Sequence, residues 1–386
     1  MNESTFAPGG GRAGTPERGQ GPAGLEAVGS VAVRTFANHQ HMTTPRNSMD
    51  GLDVNSRAGD PSGEKPVGFA DYANVPEGHF YDPDAEYEPD PEYAATLAPD
   101  AARQRRERIG PTGRPLPYFP IPGPLAEHGP AKIIAMCNQK GGVGKTTSTI
   151  NLGAALAEYG RRVLLVDFDP QGALSVGLGV NPMELDLTVY NLLMERGMSA
   201  DEVLLKTAVP NMDLLPSNID LSAAEVQLVS EVARESTLQR ALKPLMADYD
   251  YIVIDCQPSL GLLTVNALTA AHKVIVPLEC EFFALRGVAL LTETIEKVQE
   301  RLNPELELDG ILATMYDSRT VHSREVLARV VEAFDDHVYH TVIGRTVRFP
   351  ETTVAGEPIT TYASNSVGAA AYRQLAREVL ARCPAE

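Results

Sequence analysis

The residues best equipped for chemistry stand in one short stretch, Lys140-Gly141-Gly142-Val143-Gly144-Lys145-Thr146-Thr147. Closely spaced glycines let successive backbone N–H groups turn inward on a phosphate, and a helix that starts at the end of the loop adds the positive end of its dipole. In such a loop Lys145 reaches the β- and γ-phosphates of a nucleotide, and the Thr146 hydroxyl ligates Mg2+. Carboxylates follow at the ends of two apolar runs. Val163-Leu-Leu-Val leads into Asp167-Phe-Asp169-Pro-Gln-Gly, and Tyr251-Ile-Val-Ile ends in Asp255. An acid at the tip of a buried strand, downstream of a phosphate loop, is suited to bind Mg2+ through water, which is the role expected of Asp255.

These groups need a scaffold that brings strand ends together. Short apolar runs suggest strands at Lys132–Cys137, Arg162–Val166, Met212–Leu215, Tyr251–Ile254, Lys273–Val276, Gly310–Met315 and Val338–Ile343. Helical patterns lie between or after them, at Thr146–Tyr159, Ala223–Ala247, Leu285–Leu302, Ser323–Phe334 and Gly368–Arg382. Strands apolar throughout and separated by helices predict an α/β fold, a mostly parallel twisted sheet with helices on both faces.

Composition divides the chain of 386 residues in two. Residues 1–130 hold 17 Gly and 18 Pro, against 15 and 11 in residues 131–386, and have few apolar runs. Such a segment buries too little surface to offset the entropy of ordering it, so a disordered tail is expected there, ahead of a phosphate-loop domain over 131–386. Within the tail, Asp71 to Glu92 is acidic and set with tyrosines, a basic run follows at Arg103–Arg108, and residues 115–124 read as a polyproline spacer. The net charge of −18 excludes a bulk polycation that grips nucleic acid with its whole surface, so any DNA contact must come from a local basic patch. The four cysteines show no C-x-x-C spacing, which speaks against a zinc or iron–sulfur site and against a disulfide framework. With no 18-residue apolar run and no signal-peptide core, a cytoplasmic location is expected.

Lys140, five residues ahead of Lys145, makes the loop K-G-G-V-G-K-T-T and resembles the ParA/MinD class of P-loop ATPases. Cys137-Asn-Gln-Lys-Gly-Gly-Val-Gly-Lys-Thr-Thr, Asp167-Phe-Asp-Pro-Gln-Gly, Asp255-Cys-Gln-Pro-Ser-Leu-Gly and Val276-Pro-Leu-Glu-Cys-Glu-Phe-Phe-Ala-Leu-Arg-Gly occur in the order of the chromosomal, Soj-like ParA proteins. The resemblance covers Lys132 to the C-terminus and none of the tail. It implies ATP and Mg2+ as cofactors and an ATP-sandwich homodimer in which Lys140 contacts the nucleotide of the opposite subunit. It implies that Asp169 positions the attacking water and that Asp167 supports Mg2+ and the loop. Non-specific DNA binding would fall to Arg319 and Arg348, with Arg324, Arg329 and Arg345 extending the patch. A ParB-like centromere-binding protein would stimulate slow hydrolysis on the nucleoid. Gln257, Ala173 and Phe349-Pro350 depart from the usual pattern without removing a phosphate or metal ligand. Two other readings share the loop: a MinD-like membrane ATPase, which would need a membrane-inserting C-terminal helix, and a polar scaffold acting through its tail. The C-terminal helix, with Tyr372, Leu375, Val379 and Leu380 on one side, is expected to pack on the core instead.

Overall fold

The computed structural model describes residues 109–281 and 284–385. The acidic and Arg-rich runs of the tail lie outside the described residues. Seven strands form one sheet: β1 (Lys132–Met136), β2 (Val163–Phe168), β3 (Leu205–Lys206), β4 (Met212–Leu215), β5 (Tyr251–Cys256), β6 (Lys273–Glu279) and β7 (Glu307–Thr314). Their order is β3-β4-β2-β5-β1-β6-β7, and only the short edge strand β3 runs antiparallel to its neighbour. Helices α1 (Lys145–Glu158), α2 (Leu262–Ala270), α3 (Ala284–Arg301), α4 (Val321–Phe334), α5 (Arg348–Ala355) and α6 (Val367–Arg382) make up the main helical elements.

The apolar strands build two cores because alternate side chains point to opposite faces. Ile133, Ala135, Leu164, Val166, Ile252 and Ile254 pack on one face with Leu263, Leu291 and Leu327 from α2, α3 and α4. Ile134, Met136, Val163, Leu165, Tyr251 and Val253 pack on the other with Leu152 and Leu156 of α1 and Leu375 and Val379 of α6. Tyr372 of α6 is buried as well, and its hydroxyl meets Ser148 Oγ of α1 at 3.1 Å. The apolar face of α6 is therefore spent on the core. Among the described residues no helix is long and apolar enough to cross a membrane.

Two expected elements differ. Residues 338–343 do not form a strand, although they run beside β7, with Tyr339 N donating to Ile311 O and Ile343 N to Ala313 O. The amides of His340 and Thr341 turn away, to the Glu378 carboxylate of α6 at 2.8 and 2.9 Å, so no regular ladder forms. The long helix expected over 223–247 is broken into Leu221–Gln227, Thr237–Leu242 and short 3-10 turns. Ala233 takes a left-handed conformation (φ 54°), Asn266 Oδ1 accepts from Thr237 N and Leu238 N to start a new helix, and Pro244 lacks the N–H to continue it.

Residues 109–130 lie along the N-terminal ends of the strands. Arg114 donates to the carbonyls of Asp335 and Val338, near the start of β7. Arg161, just ahead of β2, donates to Gly123 O at 2.9 Å. The buried Asp250 carboxylate, just ahead of β5, pairs with His128 Nδ1 at 2.8 Å and accepts from Gly129 N at 3.0 Å and Arg162 N at 2.7 Å.

Candidate nucleotide site and basic surface

The C-terminal ends of β1, β2, β5, β6 and β7 converge around the glycine-rich loop. Gly142 (φ 74°) and Gly144 (φ 85°) occupy left-handed conformations that side chains resist, and a Cβ at Gly142 would project into open space. Neighbouring strands hold the loop at both ends. Asn138 donates to Pro277 O of β6 at 2.7 Å and accepts from Lys140 N at 2.9 Å. Thr314, the last residue of β7, donates from Oγ1 to Val143 O at 2.8 Å. Lys145 is buried, its Nζ folded back onto the Lys140 carbonyl at 3.2 Å.

Asp167 and Asp255 are register partners on β2 and β5, both buried. Desolvation, strengthened for Asp255 by the Asp167 charge, pushes the carboxyls up to about 7 and about 8. Asp255 accepts from Thr146 Oγ1 at 2.6 Å and from Thr149 Oγ1 at 3.4 Å. Asp167 spends one oxygen on Ser175 N and Oγ at 2.8 and 2.7 Å, which ties the short helix Ala173–Gly177 to β2. Asp169 is half-buried and accepts from Gln171 N at 3.0 Å, shaping the turn that follows the strand. Hard oxygen donors beside two crowded carboxylates, whose raised carboxyls the Lys145 charge only partly offsets at Asp255, fit a divalent ion of the Mg2+ type. Thr146 and Asp255 are the groups that could hold it.

Lys140 contacts two acids of its own chain, Glu279 Oε2 at 3.0 Å and Glu281 Oε2 at 2.6 Å. Nothing about the glycine motif announces that contact, because the acids are far away in sequence. Thr149 and Thr314 also escape motif reading, and Asn138, though inside the quoted motif, gives no sign there of its bond to β6. Thr149 left a trace in its spacing, lying one helical turn beyond Lys145 and Thr146.

Arg319 and Arg348 sit on two segments that the backbone ties together. Tyr316 N donates to Ile343 O at 3.0 Å, and Arg345 N to Tyr316 O at 3.1 Å. Arg319 is exposed and forked onto Asp317, with both contacts at 2.9 Å, which holds the Asp317 carboxyl down at about 2. Arg348, the first residue of α5, pairs with Glu351 at 2.9 Å. Arg324 braces the first loop through Ser318 O at 2.7 Å.

A phosphate loop between a central parallel strand and its helix, facing acid-tipped neighbouring strands, defines a P-loop nucleotide hydrolase. Residues 131–308 match the AAA domain family. The chain is 48% identical over 250 residues to the sporulation initiation inhibitor protein Soj of Bacillus subtilis, covering 65% of this chain and 98% of Soj. An uncharacterized protein of Mycobacterium tuberculosis H37Rv is 69% identical over 274 residues, 71% of this chain and 86% of that one. The chain belongs to the ParA/Soj family of chromosome-partitioning ATPases. Among solved structures, one from Mycobacterium smegmatis named cobyrinic acid a,c-diamide synthase, with a bound ATP analogue and magnesium, is 46% identical with a TM-score of 0.58, over 65% of this chain and 95% of that one.

Proposed function

We propose that this protein is a DNA-partitioning ATPase whose nucleotide state controls its grip on DNA. ATP would bind at Gly141 to Thr147 with Lys145 on its phosphates, and Thr146 and Asp255 would hold Mg2+, Asp255 through water. Bound there, the ion would neutralise charge on the phosphate oxygens. Lys140 would reach the nucleotide of a second copy, and Asp169 would orient the attacking water. Arg319 and Arg348 would meet DNA phosphates. A dimer would present both pairs together, which the weakness of single exposed contacts requires. A ParB-like partner would stimulate hydrolysis, and the protein would be a cytoplasmic, nucleoid-associated one.

One observation carries this reading: β7 serves both sites. Thr314 at its end holds the phosphate loop through Val143 O, and Tyr316, two residues on, ties down the arginine-bearing segment. A change in the loop thus has a short, hydrogen-bonded route to the basic surface. The buried face of α6 gives no support to a membrane-inserting helix. The M. smegmatis neighbour bears the name of an amide-forming enzyme, and the same fold serves either chemistry. Binding to a random-sequence duplex at low salt, with ATP, ADP or no nucleotide, tests the proposal. Binding with ATP alone that collapses as salt rises is expected; equal binding in all three states, or none, would discard it.

A further inference from the structure

The surroundings of Lys140 are odd for a residue assigned to another subunit. Two carboxylates of its own chain, Glu279 and Glu281, hold its ammonium at 3.0 and 2.6 Å. Glu279 is the last residue of β6 and its side chain is only 13% exposed, so this acid is fixed, whereas Lys140 at 44% is free to move outward. The remaining oxygen of Glu279, Oε1, faces Arg345 Nη2 at 3.4 Å, a longer contact than either lysine pair. Arg345 belongs to the segment tied to Tyr316 beside Arg319 and Arg348. One carboxylate therefore touches the phosphate loop and the basic surface together. Burial works against the Lys140 ammonium, yet the bonds from Glu281 and Glu279 outweigh it and shift the group upward, while Lys140 holds the Glu281 carboxyl below its usual range.

We infer that Glu279 and Glu281 retain Lys140 in its own subunit, and that Arg345 takes over as counter-ion to Glu279 when Lys140 leaves. The inference rests on the reading that Lys140 acts across a dimer. Moving Lys140 to a partner's nucleotide strands two acids close together, and a half-buried carboxylate does not tolerate losing its cation without replacement. Glu281, 54% exposed, can be compensated by water and salt. Glu279 needs Arg345 to close the 3.4 Å gap, and that movement draws the basic segment toward β6. Pairing of subunits and the posture of the basic surface are then one event. Glu279, Glu281 and Arg345 are positioning residues, acting through Lys140.

The test is the ATP-dependent monomer–dimer equilibrium of the full chain, followed by sedimentation. Exposed ion pairs are individually weak, so modest effects are expected. Glu281→Gln and Glu279→Gln should each lower the protein concentration for half-dimerisation about two- to fivefold. Arg345→Gln should raise it about two- to threefold, have no effect in the Glu279→Gln background, and be rescued by Arg345→Lys. Lys140→Ala separates the failures. If it dimerises like the wild type, the cross-subunit reading is wrong and the retention idea falls with it. If it fails to dimerise while both glutamine variants match the wild type, cross-subunit action stands and retention is wrong. An equal effect of Arg345→Gln in both backgrounds would eliminate the exchange of counter-ions.

Discussion

The phosphate loop and the basic surface meet at the end of β7, but they are held in different ways. The loop is clamped by buried partners from three other elements: Asn138 bridges to β6, Thr314 reaches in from β7, and Thr146 bonds the Asp255 carboxylate of β5. Arg319 and Arg348 are exposed, each bonded to an acid two or three residues along its own segment. Buried hydrogen bonds fix geometry, whereas exposed ion pairs exchange readily with other anions. A site that must present the same cradle to each nucleotide is built the first way. A surface that, in the proposed function, must release one phosphate backbone and take another would be built the second way, with Asp317 and Glu351 standing in for DNA phosphates.

This contrast can be broken most directly at Lys145. Lys145→Ala should weaken ATP binding by about a hundredfold or more, equivalent to about 2.7 kcal/mol, in titrations with a fluorescent nucleotide. A loss under tenfold would mean that backbone groups alone hold the phosphates. Asp169→Ala should leave ATP affinity within about threefold while slowing single-turnover hydrolysis about a hundredfold, trapping a DNA-bound dimer. A variant that never dimerises would move Asp169 from catalysis to binding. Arg348→Glu should cost about tenfold or more in DNA affinity and flatten the salt dependence, with ATP affinity unchanged. Unchanged DNA binding would remove Arg348 from the surface.

Smaller effects sharpen the picture on the buried side. Ser175→Ala removes one hydrogen bond from Asp167 and should destabilise the protein by about 1–2 kcal/mol, read as a lower Tm. Asp167 and Asp255 are both raised from the unfolded carboxylate value, so the folded chain binds more protons than the unfolded chain between about pH 4 and 8. Without nucleotide and metal, stability should therefore decline as pH rises from about 4 and level off above about 8. A Tm that climbs over that range in chelator would show that the two acids already have a counter-charge.

Much of this was legible in the sequence, for identifiable reasons. The loop, the acid-tipped strands and the parallel sheet are written in contiguous residues, where spacing is geometry. The strand misread at 338–343 has the right apolar residues, but its fate was decided by Glu378, a buried acid on a helix that follows it. The helix expected over 223–247 has the right periodicity, but Asn266 on another element offers a better start at Thr237. The Lys140–Glu279–Arg345 chain spans residues more than 60 positions apart, and only the fold of β6 against β1 and β7 assembles it.

The anchoring of residues 109–130 along the N-terminal ends of the strands fixes the pole at which this stretch joins the sheet. Arg114 pins the chain near the start of β7, on the pole opposite the phosphate loop. Arg161 and Asp250 fasten the same stretch at the strand starts, so its bonds brace that pole and none of those described falls at the phosphate loop.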